Sequence, residues 1–301
     1  MVERAQFQTE YPFQSHFFNT GSYHMHYVDE GKGPTLLLIH GNPTWSFYYR
    51  NLIKHFSKNY RVIAPDHIGC GLSDKPQDYP YTLQIHIENL KELITHLNLK
   101  DVTLVVHDWG GPIGLGAFLD EPHLLKSLII FNTGAFVGKD LTMPLRIKLV
   151  RIPFIGPFAV RVLNAFAYGA LLMACKRGLS KEIRAGYLAP YKSVHNRVGI
   201  LRFVQDIPWN KTKYSYHLIE KIEKHLFQFS KIPTLILWGK KDFCFTEKFL
   251  NYWRKYLPKA HVQVFNEAGH YVLEDAHEKI IPVIENFLKR LPLDVRTSAS
   301  P

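Results

Sequence analysis

Six short runs of consecutive apolar residues, set between longer stretches of helical periodicity, constrain this chain most. They lie at 35–39, 61–64, 103–106, 127–131, 234–238 and 261–265. A strand exposed on one face alternates apolar with polar residues; a strand covered on both faces does not, and reads as a continuous apolar run. A further strand is expected at 22–30, ending at the turn Gly31-Lys32-Gly33-Pro34. Amphipathic helical stretches at 46–58, 82–98, 110–121, 245–256 and 277–290 separate most of the runs. This alternation specifies the α/β class, a mostly parallel, doubly wound sheet with helices on both faces. A chain of 301 residues is long enough for one such domain carrying an insertion.

The alternation fails between about 137 and 212, where the pattern is helical, interrupted by prolines, and rich in Phe, Leu, Ala and Tyr. A charged helix at 214–227 then leads back into the strands. The expected organisation is a core at 1–136, a helical cap at 137–212, the rest of the core at 213–293 and a flexible tail at 294–301. Such a cap would cover the carboxyl ends of the strands, where open α/β sheets bind ligands. The longest apolar run of the cap, 162–174, holds 13 residues including Asn164, too few to span a bilayer.

Composition narrows the function classes. The net charge of +11 invites a nucleic-acid reading, but the basic residues are scattered and no nucleic-acid motif occurs, so none is expected as a partner. The first expectation is a generally basic surface; the basic, apolar middle of the chain leaves open, as a secondary reading, a peripheral contact with anionic lipid. Cys70, Cys175 and Cys244 are widely spaced and form no CxxC pair, which argues against a disulfide framework or a zinc site and suits a reducing compartment. No metal and no cofactor are expected. The polar start Met1-Val2-Glu3-Arg4-Ala5-Gln6 lacks the apolar run of a signal peptide, so the expected location is the cytoplasm.

The chemistry is concentrated in Val105-Val106-His107-Asp108-Trp109-Gly110-Gly111. An apolar strand here meets a glycine-rich helix start, the layout of a nucleophile elbow. The tip is Asp108, with Gly110 two residues after it and Val106 where a glycine usually stands. An aspartate is already anionic at neutral pH and attacks without losing a proton. The product is an ester on the enzyme, and a histidine is then free to activate water. The same aspartate could simply cap the helix.

Three further loci follow predicted strands and converge on the same sheet edge. His270, in Asn266-Glu267-Ala268-Gly269-His270, follows the last strand as candidate base. Asp242, in Trp238-Gly239-Lys240-Lys241-Asp242, is the candidate acid that orients it. The loop His40-Gly41-Asn42-Pro43-Thr44-Trp45 could supply a backbone N–H that, with that of Trp109, makes an oxyanion hole. The Asn42 amide and the Trp109 indole are donors suited to a leaving group that departs with negative charge, although Trp109 also suits core packing. The loop 66–74 is expected to support the site by turn chemistry.

These residues resemble the aspartate-nucleophile branch of the α/β-hydrolase superfamily, that of the haloalkane dehalogenases. The resemblance is carried by His40 to Phe47, His107 to Gly111 and Gly269-His270, in the order nucleophile, acid, histidine. One group of that family keeps its acid after the strand preceding the cap. That place holds Asn132 here, so the resemblance assigns the acid to Asp242 and the leaving-group pair to Asn42 with Trp109. That combination is similar to the third dehalogenase subgroup, which also contains the β-lactone decarboxylases of bacterial long-chain olefin biosynthesis. The chain is similar to these over most of 11–285, notably at 42–50, 66–76, 132–136, 202–208, 238–245 and 270–275. The resemblance implies a small hydrophobic substrate: a β-lactone bearing two alkyl chains, opened with loss of carbon dioxide, or alternatively a 1-haloalkane hydrolysed to alcohol and halide. Whether Asp108 would attack the ring carbon or the carbonyl of a lactone is left open by the residues. A β-lactone synthetase is the partner such a resemblance implies. Epoxide hydrolases share the aspartate and an HGxP loop but typically carry an aromatic residue at the place of Asn42; they protonate the epoxide with cap tyrosines, for which Tyr168, Tyr187 and Tyr191 are available. A hydrolase-fold protein that only binds ligands is the non-catalytic alternative.

Overall fold

All six apolar runs lie in strands of the computed structural model, which describes residues 5–208 and 211–291. Among the described residues, β1 (His16–Thr20), β2 (Tyr23–Glu30), β3 (Thr35–Ile39), β4 (Arg61–Pro65), β5 (Val102–Asp108), β6 (Leu125–Thr133), β7 (Thr234–Gly239) and β8 (His261–Phe265) form one sheet. Their order is β1-β2-β4-β3-β5-β6-β7-β8. From β4 to β8 the neighbours are parallel, while β1 and β2 pair antiparallel at one edge. The strand β1 has no counterpart in the apolar runs, because an edge strand half exposed along its length carries no continuous apolar signal.

The central strands are buried on both sides, as their sequences require. Leu37 and Ile39 of β3 join one apolar layer with Leu104 and Val106 of β5. Leu36 and Leu38 join the opposite layer with Val105. The first layer is closed by α2 (Leu83–His96), α3 (Gly110–Ala117), α9 (Tyr214–His225) and α10 (Glu247–Tyr256), through residues such as Leu90, Ile113, Ile222 and Trp253. The second is closed by α1 (Arg50–Phe56) and α11 (Val272–Lys289), through Leu52, Ile53, Ile280 and Ile284. Each fully buried Leu or Ile stabilises this arrangement by about 1.5–3 kcal/mol.

Between β6 and β7 lie the short helices α4 (Leu145–Leu149) and α5 (Ile155–Pro157), followed by α6 (Ala165–Met173), α7 (Lys181–Leu188) and α8 (Val198–Asp206). This insertion is tied to the loops that follow the strands. Asn42 Nδ2 donates to the Ile200 carbonyl at 3.2 Å, and Trp45 Nε1 donates to the Gly186 carbonyl at 3.2 Å. The Tyr271 N–H donates to the Ala174 carbonyl at 2.9 Å. The tail expected at 294–301 lies outside the described residues.

Candidate active site

The order of strands reverses between β3 and β5, and a crevice opens where the connections diverge to either side. The register Leu38↔Val105 and Ile39↔Val106 sets the end of β3 level with the end of β5. The loop from His40 therefore meets Asp108. Asp108 holds φ at +52°, a left-handed conformation disfavoured for any residue with a Cβ and stored where surrounding packing over-determines it. Two close approaches make the turn possible. A Cβ at Gly41 would overlap the Asp108 carboxylate, and one at Gly110 would overlap the Ile39 carbonyl, so only glycine lets the three segments meet. The Thr133 hydroxyl at the end of β6 donates to the Asp108 carbonyl and pins the turn from the other side.

The side chain of Asp108 does not cap a helix. Its Oδ1 accepts the Asn42 backbone N–H at 2.7 Å, and the Trp109 N–H also stabilises the carboxylate. Both N–H groups expected to form an oxyanion hole thus address the aspartate itself. Burial raises the Asp108 pKa above its ordinary value, against the lowering effect of the His270 charge and of these two N–H donors. Its Oδ2 lies 3.7 Å from His270 Nε2. On the far side of the ring, His270 Nδ1 is 2.8 Å from Asp242 Oδ2. Burial alone would lower the His270 pKa; the charge and hydrogen bond of Asp242, with the charge of Asp108, outweigh it and raise the imidazole above its ordinary value. Asp242 is fully buried. Its other oxygen, Oδ1, accepts the N–H groups of Cys244 at 2.6 Å and Phe245 at 3.1 Å.

The three residues expected to act together are therefore brought into one line, carboxylate, imidazole, carboxylate. Asn42 and Trp109 border it. One amide N–H of Asn42 is spent on the Ile200 carbonyl of α8, leaving the second for a departing anion. Trp109 is 9% exposed and packs edge-to-face on Phe203 of α8, with ring centroids 5.4 Å apart. It serves the interface with the insertion as well as bordering the site.

Several supporting residues escaped the sequence reading. Asn132, noted only because an acid was missing there, clamps the end of β7. Its Oδ1 accepts the Gly239 N–H at 2.7 Å and its Nδ2 donates to the Gly239 carbonyl at 3.0 Å, three residues before Asp242. The signal available was a polar residue at the end of an otherwise apolar strand. His107 Nε2 donates to the His270 carbonyl at 2.9 Å. Burial, reinforced by the His270 charge, lowers the His107 pKa far enough to keep that ring neutral. Asp66, in the loop expected to act by turn chemistry, is a fully buried hub contacting His26 Nδ1 at 2.8 Å and accepting the N–H groups of Ser46 at 2.7 Å and Leu72 at 2.9 Å. Two of the three cap tyrosines are engaged away from Asp108. Tyr187 donates to Glu274 at 2.5 Å, the Tyr191 hydroxyl accepts the Gly71 N–H at 3.3 Å, and Tyr168 is exposed. Among the described residues, no group of His, Cys, Asp or Glu is arranged to hold a metal ion.

Comparison with known proteins agrees with this architecture. A family model described as alpha/beta hydrolase fold matches residues 34–277. A cis-3-alkyl-4-alkyloxetan-2-one decarboxylase of Shewanella oneidensis is 46% identical over 282 residues, covering 92% of this chain and 89% of that protein. Haloalkane dehalogenase 2 of Mycobacterium bovis is 30% identical over 286 residues, covering 92% and 96% respectively. Among solved structures, the haloalkane dehalogenase DbeA from Bradyrhizobium elkani superposes with a TM-score of 0.85 at 25% identity, covering 93% of this chain and 98% of that one. The chain belongs to the α/β-hydrolase fold family, in its haloalkane dehalogenase-like branch.

Proposed function

We propose that this chain is a cis-3-alkyl-4-alkyloxetan-2-one decarboxylase, converting a β-lactone with two alkyl chains into a long-chain alkene and carbon dioxide. Asp108 acts as nucleophile, His270 as its partner and candidate base, Asp242 as the acid that orients the imidazole, and Asn42 with Trp109 as the leaving-group pair. The observation that carries the chemistry is the Asp108 carboxylate, held at φ +52° with Oδ1 on the Asn42 N–H and Oδ2 facing His270. The substrate class rests on the Shewanella oneidensis relative, more similar to this chain than the dehalogenase at 30% identity.

The geometry also favours one site of attack. The N–H groups that would stabilise a carbonyl-derived oxyanion are engaged by the nucleophile, which points to attack at the saturated ring carbon. A bond forms from Asp108 Oδ2 to that carbon, its bond to the ring oxygen breaks, and the freed carboxylate takes the negative charge beside Asn42 and Trp109. Cleavage of the adjacent carbon–carboxylate bond then supplies the electron pair of the alkene and expels Asp108 unchanged, so no water is consumed. On a haloalkane the same first step would release halide, and His270 would activate water to hydrolyse the ester. The positions of Tyr187 and Tyr191 count against an epoxide hydrolase, since their hydroxyls are engaged elsewhere. We further place the enzyme in the cytoplasm, supplied with substrate by a β-lactone synthetase.

The test is product analysis by gas chromatography–mass spectrometry after incubation with a cis-dialkyl β-lactone and, separately, a 1-bromoalkane. Alkene with carbon dioxide is expected from the lactone. Intact lactone alongside released bromide would overturn the reading in favour of a dehalogenase, and turnover of neither of these nor of an alkyl epoxide would point to a protein that only binds ligands.

A further inference from the structure

The insertion breaks the rule that the rest of the molecule keeps. Of the 14 exposed large hydrophobic residues among those described, 10 fall between Leu145 and Leu172. Phe154 is 89% exposed, and Leu145 and Leu172 are 70% each. So many exposed apolar side chains gathered in one stretch of the chain point to an interaction site. Its charge identifies the occupant. From Leu141 to Lys181 the chain carries seven Lys or Arg residues and neither Asp nor Glu; one of the seven, Arg177, is paired with Glu278 of α11, and the others leave the face basic. Arg161, within the patch, donates to the Gln77 side-chain oxygen and the Val194 carbonyl, uncharged acceptors that leave its positive charge for an external anion.

We propose that this face docks on an anionic lipid surface, with the apolar side chains entering the interface and the basic ones meeting the headgroups. No single helix among the described residues is long and apolar enough to cross a membrane. The two apolar stretches Ile155–Val162 and Ala165–Met173 are bent 74° to one another. Each is too short to span a bilayer alone, and docking would lay both along the interface. A second copy of the chain fits poorly, since it would oppose one basic face to another. α6 joins the docked face to the site: Tyr168 and Leu172 point outward, Ala167 and Leu171 are buried, and the Ala174 carbonyl just past its end accepts the N–H of Tyr271, next to His270. An alkyl chain leaving the bilayer would meet this helix first. The proposal holds whichever alkyl substrate the enzyme takes.

The experiment is flotation of the full chain with vesicles of phosphatidylcholine alone and of phosphatidylcholine mixed with phosphatidylglycerol, at low and high salt. The chain should float with the anionic vesicles, less so as salt rises, and hardly at all with the neutral ones. Each of R146E and R161E should weaken anionic-vesicle binding about fivefold or more, and the pair Phe154→Ser with Leu172→Ser about tenfold. Unchanged thermal unfolding midpoints would show that these surface variants fold. Wild-type chain that stays behind with both vesicle types, or binds both equally at every salt concentration, overturns the proposal. So does a concentration-dependent dimer abolished by Phe154→Ser in a chain that does not float, which would assign the face to a second copy.

Discussion

The floor of the site and the insertion above it handle apolar and polar groups in opposite ways. On the floor, Leu36 to Ile39 and Leu104 to Val106 are buried, and the carboxylates among them are met by aimed donors: two backbone N–H groups for Asp108, two more and an imidazole for Asp242. The insertion buries one apolar face on this floor and turns another outward, with basic residues around it. Burial on the floor holds reactive groups in strained or charged states, whereas the exposed face of the insertion contributes no core to the fold. The difference separates the region that arranges the candidate catalytic groups from the region proposed to dock on lipid. They should therefore respond differently to substitution.

The largest effect should come from the floor. Asp108→Ala is expected to lower turnover by about 10^4-fold or more. It should shift the unfolding midpoint only slightly, because removal of a buried charge offsets the loss of partners for the Asn42 and Trp109 N–H groups. Steady-state rates paired with thermal unfolding check both halves, and substantial residual turnover would move the nucleophile elsewhere.

The second prediction addresses the joint between the regions. Arg50 of α1 meets Glu274 of α11 in a bidentate pair at 2.5 and 2.8 Å, and Tyr187 of the insertion donates to the same carboxylate. Arg50→Met leaves Glu274 buried without its cation, which should destabilise the fold by about 3–5 kcal/mol. Chemical denaturation measures this. A loss below about 1 kcal/mol would show that the joint behaves like a surface ion pair and that the two regions are less coupled than the contacts imply.

The smallest effect is a shift in titration. In the wild type, His270 should titrate above its ordinary value of 6.5, because Asp242 and Asp108 outweigh burial. In Asp242→Asn it should fall below that value, since burial then prevails. NMR of the ring protons checks the sign. A raised folded-state pKa adds stability that is complete below about 6.5 and fades as pH rises through the folded value. The stability gap between wild type and Asp242→Asn should therefore narrow toward alkaline pH.

Legibility differed along the same division. The six runs announced their strands because a strand buried on both faces has no other way to be written. Asp108, Asp242 and His270 were each legible from their place after such a strand. The edge strand β1 was silent, and so was the clamp of Asn132 on Gly239, because a hydrogen bond across 107 residues leaves no local trace. The attachment of Asn42 to the Ile200 carbonyl was equally hidden. The cap's apolar composition was plain, but which side chains would face outward was not. Short helices separated by prolines and bends have no sustained period from which a buried face can be read.

By itself, then, the sequence determined the inner strands, the elbow and the order of the candidate residues Asp108, Asp242 and His270, since each follows from local period and from position along the chain. Tertiary structure decided the rest. The pairing of β3 with β5 brought two N–H groups onto the Asp108 carboxylate, and packing left Phe154 and Leu172 on the outside. Such outcomes depend on which distant surfaces meet, and that is settled only when the whole core closes.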